Sequence, residues 1–431
     1  MLRDHGYNQA DQPYSKRKKV IFMDKLYVGI DVSSRNNVVC LMKPDGSKIS
    51  TFSVPNSPSG SEKLIKQTLS ALTANGLTNV VFGLEATGCY GDHLVYYLKE
   101  SALLANYNRK IHVLNPKQVK KFRENYNDLP KNDYLDAFVI ADCLRFGRIN
   151  KEVYISDPKF KALQTLTRQR FHIVKELAAE KQRMINIIFK KYSSLAQDKV
   201  FSDRFGASAM ALYEEFESAD TLAYMDLHDL TDFLVKKGKN RFKDPEAVAN
   251  AIQKAAKGSY RLPKTVNDSI NQTLSVSISL IRALEQQVKV LDKAIAAQME
   301  IIPNTLTSVK GIGPVYSAGI IAEIGDIHRF DNQAGLAKYA GLAWKQKQSG
   351  DFDSEIKRCI PSGNKFLKYY LCEAAFSLVR CDTEYNSFYH RKYNEVNRCQ
   401  HKRALALTAR KFVRLVFALL KDNKLYIPSE A

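Results

Sequence analysis

The sequence predicts an α/β domain followed by a mainly α-helical body, on three observations. Short extended patterns alternate with helical ones within the first 150 residues. Two long charged segments then repeat apolar residues at three- and four-residue spacing. The last third is punctuated by glycine and becomes strongly basic towards its end. The chain has 431 residues, 45% of them hydrophobic and 10% aromatic, enough to bury cores in two or three domains, which excludes disorder throughout. Its 65 Lys and Arg against 45 Asp and Glu leave a formal charge of +20, which points to a polyanionic partner.

Residues 1–24 are polar and basic, with the cluster Lys16-Arg17-Lys18-Lys19, and read as a mobile arm. Residues 25–150 form the α/β domain. Extended patterns cover 26–32, 37–42 and 47–54, and Pro44-Asp45-Gly46 joins the last two, so these strands should be antiparallel neighbours. A helix over 62–72, a buried strand over 79–84, a helix over 93–103 and a strand over 110–114 complete the order β-β-β-α-β-α-β, which is that of the ribonuclease H architecture. A helix from Asp133 closes this domain near residue 150. Residues 151–300 hold two coiled-coil-type helices, one through Leu163, Leu166, Ile173, Leu177, Met184 and Ile188, the other through Ile270, Leu274, Ile278, Ile281, Leu284, Val288 and Ile295. Between them 195–265 is helical in composition, broken at Gly206, Gly238, Pro245, Gly258 and Pro263. Residues 301–431 form the last domain.

The longest apolar runs, such as 415–420, fall far short of the roughly 20 residues that cross a bilayer, and no signal-peptide segment follows the basic N-terminus, so a cytoplasmic protein is expected. The seven cysteines form no C-x-x-C pair and the histidines no helical metal pair, so any metal must be held by oxygen.

Four acids stand at telling positions: Asp31 in the first strand, Glu85 at the end of the fourth, and Asp133 and Asp136 one helical turn apart on the closing helix. Carboxylates beside apolar strands are unfavourable unless paired, and a shared cation removes the penalty. Oxygen ligands suit Mg²⁺ or Mn²⁺, which serve phosphoryl transfer. Taken singly, Asp31 could cap a turn and Asp133 a helix. Lys310-Gly311-Ile312-Gly313-Pro314, between helical patterns over 301–309 and 315–324, reads as a helix-hairpin-helix that lets the backbone approach a phosphate, or as a packing hairpin. Downstream, Ser349-Gly350 lies in a polar loop with Lys345, Lys347, Lys357, Arg358 and Lys365. A serine there could attack a clamped phosphodiester; in isolation the pair is a turn. Residues 389–424, read as one basic C-terminal helix, carry ten Lys and Arg among aromatic and apolar residues, either a phosphate-binding face or a solvated one.

The succession Asp31, Glu85, Lys131-Asn132-Asp133-Tyr134-Leu135-Asp136-Ala137, Gly311 to Pro314 and Gln348-Ser349-Gly350 resembles the DEDD-type insertion-sequence transposases and their Piv-type DNA invertase relatives, over nearly the whole chain. The resemblance implies a RuvC-like N-terminal domain, a coiled-coil segment and a C-terminal domain with an essential serine. It implies recombination through a covalent phosphoserine, with Ser349 as nucleophile and Asp31, Glu85, Asp133 and Asp136 as catalytic Mg²⁺ ligands. It also implies donor and target DNA, a structured bridge RNA whose pairing supplies specificity, and assembly into dimers or tetramers. Two departures stand out. Asn132 replaces the family's usual threonine, and the lysine-arginine-glycine segment after the serine becomes Pro361-Ser362-Gly363, which makes Ser354 and Ser362 rival nucleophiles. A RuvC-like metal-dependent nuclease and a non-catalytic nucleic-acid scaffold are the competing readings.

Overall fold

The computed structural model describes residues 24–86, 88–126, 132–147, 157–344, 348–349, 352–353, 359–360 and 362–427. The basic arm, Lys131, Lys345, Lys347, Ser354, Lys357 and Arg358 lie outside the described residues, as does the side chain of Ser349. The chain divides into two compact units, Met1–Ile155 and Ser156–Ala431.

In the first unit β1 (Lys25–Val32), β2 (Asn36–Met42), β3 (Lys48–Pro55), β4 (Asn79–Glu85) and β5 (Asn108–Leu114) form one mixed sheet of order β3-β2-β1-β4-β5. The Pro44-Asp45-Gly46 turn makes β2 and β3 antiparallel, while β1, β4 and β5 run parallel through α1 (Pro58–Ala74) and α2 (Asp92–Glu100). This is the mixed α/β sheet that the sequence predicts. The short helix α3 (Pro116–Arg123), absent from the sequence reading, starts at an Asn115 cap followed by proline. On the other face α4 (Asp133–Phe146) lies against β1 and β2. Gly29 and Gly83 are register partners on β1 and β4; a Cβ on Gly29 would run into the Ala137 carbonyl and the Ala141 amide, and one on Gly83 would meet the Leu144 side chain. The two glycines form the seat of α4.

The second unit is helical. Its long helices, α5 (Pro158–Lys191) and α11 (Lys264–Met299), pack antiparallel against each other, since Arg170 pairs with Asp292 at 2.5 Å and Lys181 with Glu285 at 2.7 Å. The apolar repeats recognised in the sequence are therefore met within one chain. Between them come α6 (Ser193–Gln197), α7 (Ala207–Glu215), α8 (Ala219–Tyr224), α9 (Leu227–Gly238) and α10 (Pro245–Lys257). Each of the five breaks foreseen sits at a helix end: Gly206 before α7, Gly238 ending α9, Pro245 starting α10, Gly258 after it and Pro263 before α11. One core joins this insertion to Met184, Ile188, Leu274 and Ile278 of the long helices. A second joins the opposite ends, through Leu163 and Ile295, to α12 (Pro314–Ile324), α13 (Gln333–Tyr339), α14 (Lys365–Cys381) and α16 (Gln400–Asp422).

Two expectations differ. The helix over 301–309 is replaced by a single 3₁₀ turn at Leu306–Ser308, because Pro303 forbids the preceding helical conformation and Asn304 caps the turn by accepting from the Leu306 amide. The first arm of the helix-hairpin-helix is thus missing, and Gly311 (φ +92°) and Gly313 simply lead into α12. The basic tail is two helices, α15 (Thr383–Asn394) and α16, separated at Cys399 (φ +52°), and several of its bases are already paired, Lys392 and Arg403 with Glu395 and Lys411 with Glu384.

Candidate active site

The sheet brings the first two acids together. Asp31 follows Ile30, which pairs with Leu84, so Asp31 and Glu85 are the next neighbours along parallel strands at their C-terminal ends. Helix α4 adds the other two. Its N-cap is Asn132, whose side chain accepts from the Leu135 amide at 2.8 Å, leaving Asp133 and Asp136 in the first turn with their carboxylates uncommitted to capping. Asparagine and threonine both cap helices well, which accounts for the family departure at this position. The glycine seat holds α4 close enough for its first turn to reach the end of β1.

The electrostatics record the convergence. Burial, then the charges of Asp136, Asp133 and Glu85, push the Asp31 carboxyl up to about 6. Burial and Asp136 also raise Glu85. Asp136 is bound by Arg123 from α3, a residue the sequence reading did not single out; its only signal was a basic last turn on a helix that was itself missed. Among the described residues no three such side chains stand at ligating distance of one point. The donor chemistry nevertheless fits a hard cation: four carboxylates, one of them held protonated more readily by burial and by its neighbours.

The serine segment lies in the second unit. Gln348–Ser349 (β6) pairs antiparallel with Phe352–Asp353 (β7), so Ser349 stands beside the turn of a short hairpin. Below it Trp344 bridges to Cys359, and the Ile360 amide donates to the Ala343 carbonyl at 2.8 Å. The hairpin root is pinched at Gly341 (φ +71°) and Gly363 (φ +145°), where a Cβ on Gly363 would lie 2.5 Å from the Gly341 backbone. Asn364 anchors the returning strand. Its amide donates to the Tyr339 carbonyl at 2.7 Å, its Oδ1 caps α14, and its Nδ2 donates to Glu323 at 2.6 Å and to the Tyr339 hydroxyl at 3.1 Å. Glu323, 2% exposed, also takes two bonds from Arg168 at 2.7 and 2.9 Å and one from Gln164 at 3.2 Å. This knot was invisible in the sequence, because its members come from α5, α12, α13 and the start of α14. Lys310 and Lys365 are exposed, and the rival Ser362 lies at the hairpin root.

A family model for DEDD-type transposases matches residues 28–192, which include all four acids, and the model of the transposase IS116/IS110/IS902 family matches residues 304–390, which include the hairpin; together they cover more than half of the chain. The chain belongs to this transposase family. It is therefore a DNA-processing enzyme. The 44.8 kDa protein of insertion element IS116 from Streptomyces clavuligerus is 24% identical over 94% of this transposase and 97% of its own length. The insertion element IS110 protein of Streptomyces coelicolor is 24% identical over 93% and 95%, and that of IS900 from Mycobacterium paratuberculosis 23% over 94% and 98%. Among solved structures, T. thermophilus RuvC in complex with a Holliday junction matches 30% of this chain and 98% of its own at 15% identity, with a TM-score of 0.23. No described helix of the transposase is long and apolar enough to cross a membrane.

Proposed function

We propose that this transposase cuts and rejoins DNA through a covalent bond to Ser349, with Asp31, Glu85, Asp133 and Asp136 as the ligands of Mg²⁺ or Mn²⁺. The observation that carries the reading is the convergence of four acids on the ends of β1, β4 and α4, where burial, then the charges of the other three, raise Asp31 to about 6. When bound, the ion would neutralise these charges and stabilise the charge that builds on the phosphate oxygens. Arg123 would release Asp136 to it.

In the first step the Ser349 oxygen forms a bond to phosphorus and its proton leaves, while the bond from phosphorus to one deoxyribose oxygen breaks and that oxygen is protonated. In the second step a deoxyribose hydroxyl from another strand attacks the phosphoserine and restores the serine. One phosphoester bond is broken and one formed in each step, so no external energy is needed. The hairpin and the Glu323 knot at its root give the serine a defined mounting. Lys310 and Lys365, with Lys345, Lys347, Lys357 and Arg358, would bind the DNA backbone, and Gly311 and Gly313 the phosphates that approach α12.

Specificity would come from a structured guide RNA that pairs with the DNA, as the family resemblance implies. Self-association is supported by α11, where Val266, Val276, Leu280 and Val290 are exposed along one uncharged face together with Thr273, Ala283 and Gln287. The test uses DNA carrying the element's end, with its guide RNA. Wild type should leave a denaturation-resistant adduct mapping to Ser349; Asp31→Asn should abolish all strand breakage; Ser349→Ala should abolish adduct and joining. Nicking that persists in Ser349→Ala would instead establish a water-using nuclease, and full activity after replacement of all four acids a scaffold.

A further inference from the structure

The helical insertion between the long helices has no part in the strand chemistry above, yet it holds a cavity of about 390 Å³ between the start of α7 and the end of α9. That volume is in the range of small-ligand sites. Its chemistry is cationic: Lys237, Lys239 and Arg241 line it, against one acid, Asp203. Lys237 is engaged by Glu215, but Lys239 and Arg241 have no ion-pair partner among the described residues.

The floor is the first turn of α7. This helix is treated differently at its two ends. At the C-terminal end the buried Lys191 ammonium donates to the carbonyls of Tyr213 at 3.1 Å and Phe216 at 2.5 Å, which neutralises the negative pole. At the N-terminal end Gly206 supplies no side-chain cap, so the first amides open towards the cavity. Ser208 in this turn is only 8% exposed, lines the cavity, and its hydroxyl has no hydrogen-bond partner among the described residues. The hydroxyl is thus free to bond an acceptor that enters the cavity. Gly238 lets the Phe242 ring pack close beside this serine: a Cβ there would lie 2.6 Å from the ring and 3.4 Å from Ser208 Oγ.

We propose that this cavity binds a phosphate group, supplied by a nucleic acid strand. A phosphate offers several acceptor oxygens, which match the α7 amides, the Ser208 hydroxyl, and the two unpaired cations at the mouth. The strand is the favoured source because the chain carries a charge of +20 and the lining includes the apolar rings of Phe201 and Phe242, against which a sugar or base can rest. The inference does not depend on which residue is the nucleophile.

The test compares the full-length transposase with Ser208→Ala, with Lys239→Gln/Arg241→Gln, and with Lys289→Gln/Lys293→Gln, which removes the same charge from exposed α11 positions outside the cavity. Fluorescent single-stranded RNA and DNA are titrated at several salt concentrations, and inorganic phosphate is titrated separately by phosphorus NMR. The cavity variant should lose about tenfold in strand affinity and lower the salt slope by about one, more than the α11 control. Ser208→Ala should weaken binding several-fold with the slope unchanged. Phosphorus line broadening by wild type that both cavity variants abolish, without a strand effect, would support the phosphate site and identify a small phosphate as its source. Equal losses in the cavity and α11 variants, or no effect on either probe, would overturn the proposal. Thermal unfolding of each variant reports whether the fold is retained.

Discussion

Asp31 illustrates how a half-buried carboxylate bears on stability. Its carboxyl is held at about 6, against an ordinary value near 3.8, so between those limits the folded chain binds a proton that the unfolded chain has released. Stability contributed by this group is therefore greatest below about pH 4 and declines as the pH rises to about 6. Allowing for partial solvent access, Asp31→Asn should gain about 1–2 kcal/mol at neutral pH and flatten that part of the pH–stability curve. Millimolar Mg²⁺ should raise the melting temperature of wild type and leave Asp31→Asn almost unmoved; an equal response would mean that Asp31 does not ligate the ion. Glu323 is the opposite case, a carboxylate whose burial is compensated by Arg168, Gln164 and Asn364. Glu323→Gln removes the buried charge from this network and should cost about 3 kcal/mol in chemical denaturation.

Among elements, the position of α4 decides how near Asp133 and Asp136 come to Asp31. The helix is capped by Asn132 whatever its neighbours do, but its distance from β1 is set by the missing side chain at residue 29. Gly29→Ala forces α4 away and should destabilise the first unit by about 1–3 kcal/mol. Because Asp133 and Asp136 move with the helix, the Mg²⁺-induced rise in melting temperature should also shrink. A variant that keeps the full Mg²⁺ response would show that the four acids do not act as one site. The hairpin root obeys the same rule. Gly363 has both a positive φ and no room for a Cβ, so Gly363→Ala is strained twice over.

For the molecule as a whole, the long helices have two faces with different occupants. Leu274, Ile278, Ile281 and Ile295 are spent within the chain, whereas Val276, Leu280 and Val290 remain exposed. Replacing Val276 and Leu280 with lysine should leave the fold intact, since neither is in a core, and shift the transposase towards monomer in sedimentation or light scattering. An unchanged mass would assign self-association to another surface.

The chain order of strands and helices, the elements on which the four acids stand and every break in the helical insertion were legible because they rest on local chemistry: alternation, turn residues, proline and glycine. The 301–309 segment was misread because its apolar spacing suited a helix while Pro303 and Asn304 did not. By itself, then, the sequence determined which residue types lie on which elements, and through them the family. Only the tertiary structure decided that the two apolar repeats meet each other, that Arg123 reaches Asp136, that Glu323 ties four segments beneath the hairpin, and that Ser208 faces a cationic cavity. These are encounters between residues far apart in the chain, and their geometry follows from packing that no local pattern encodes.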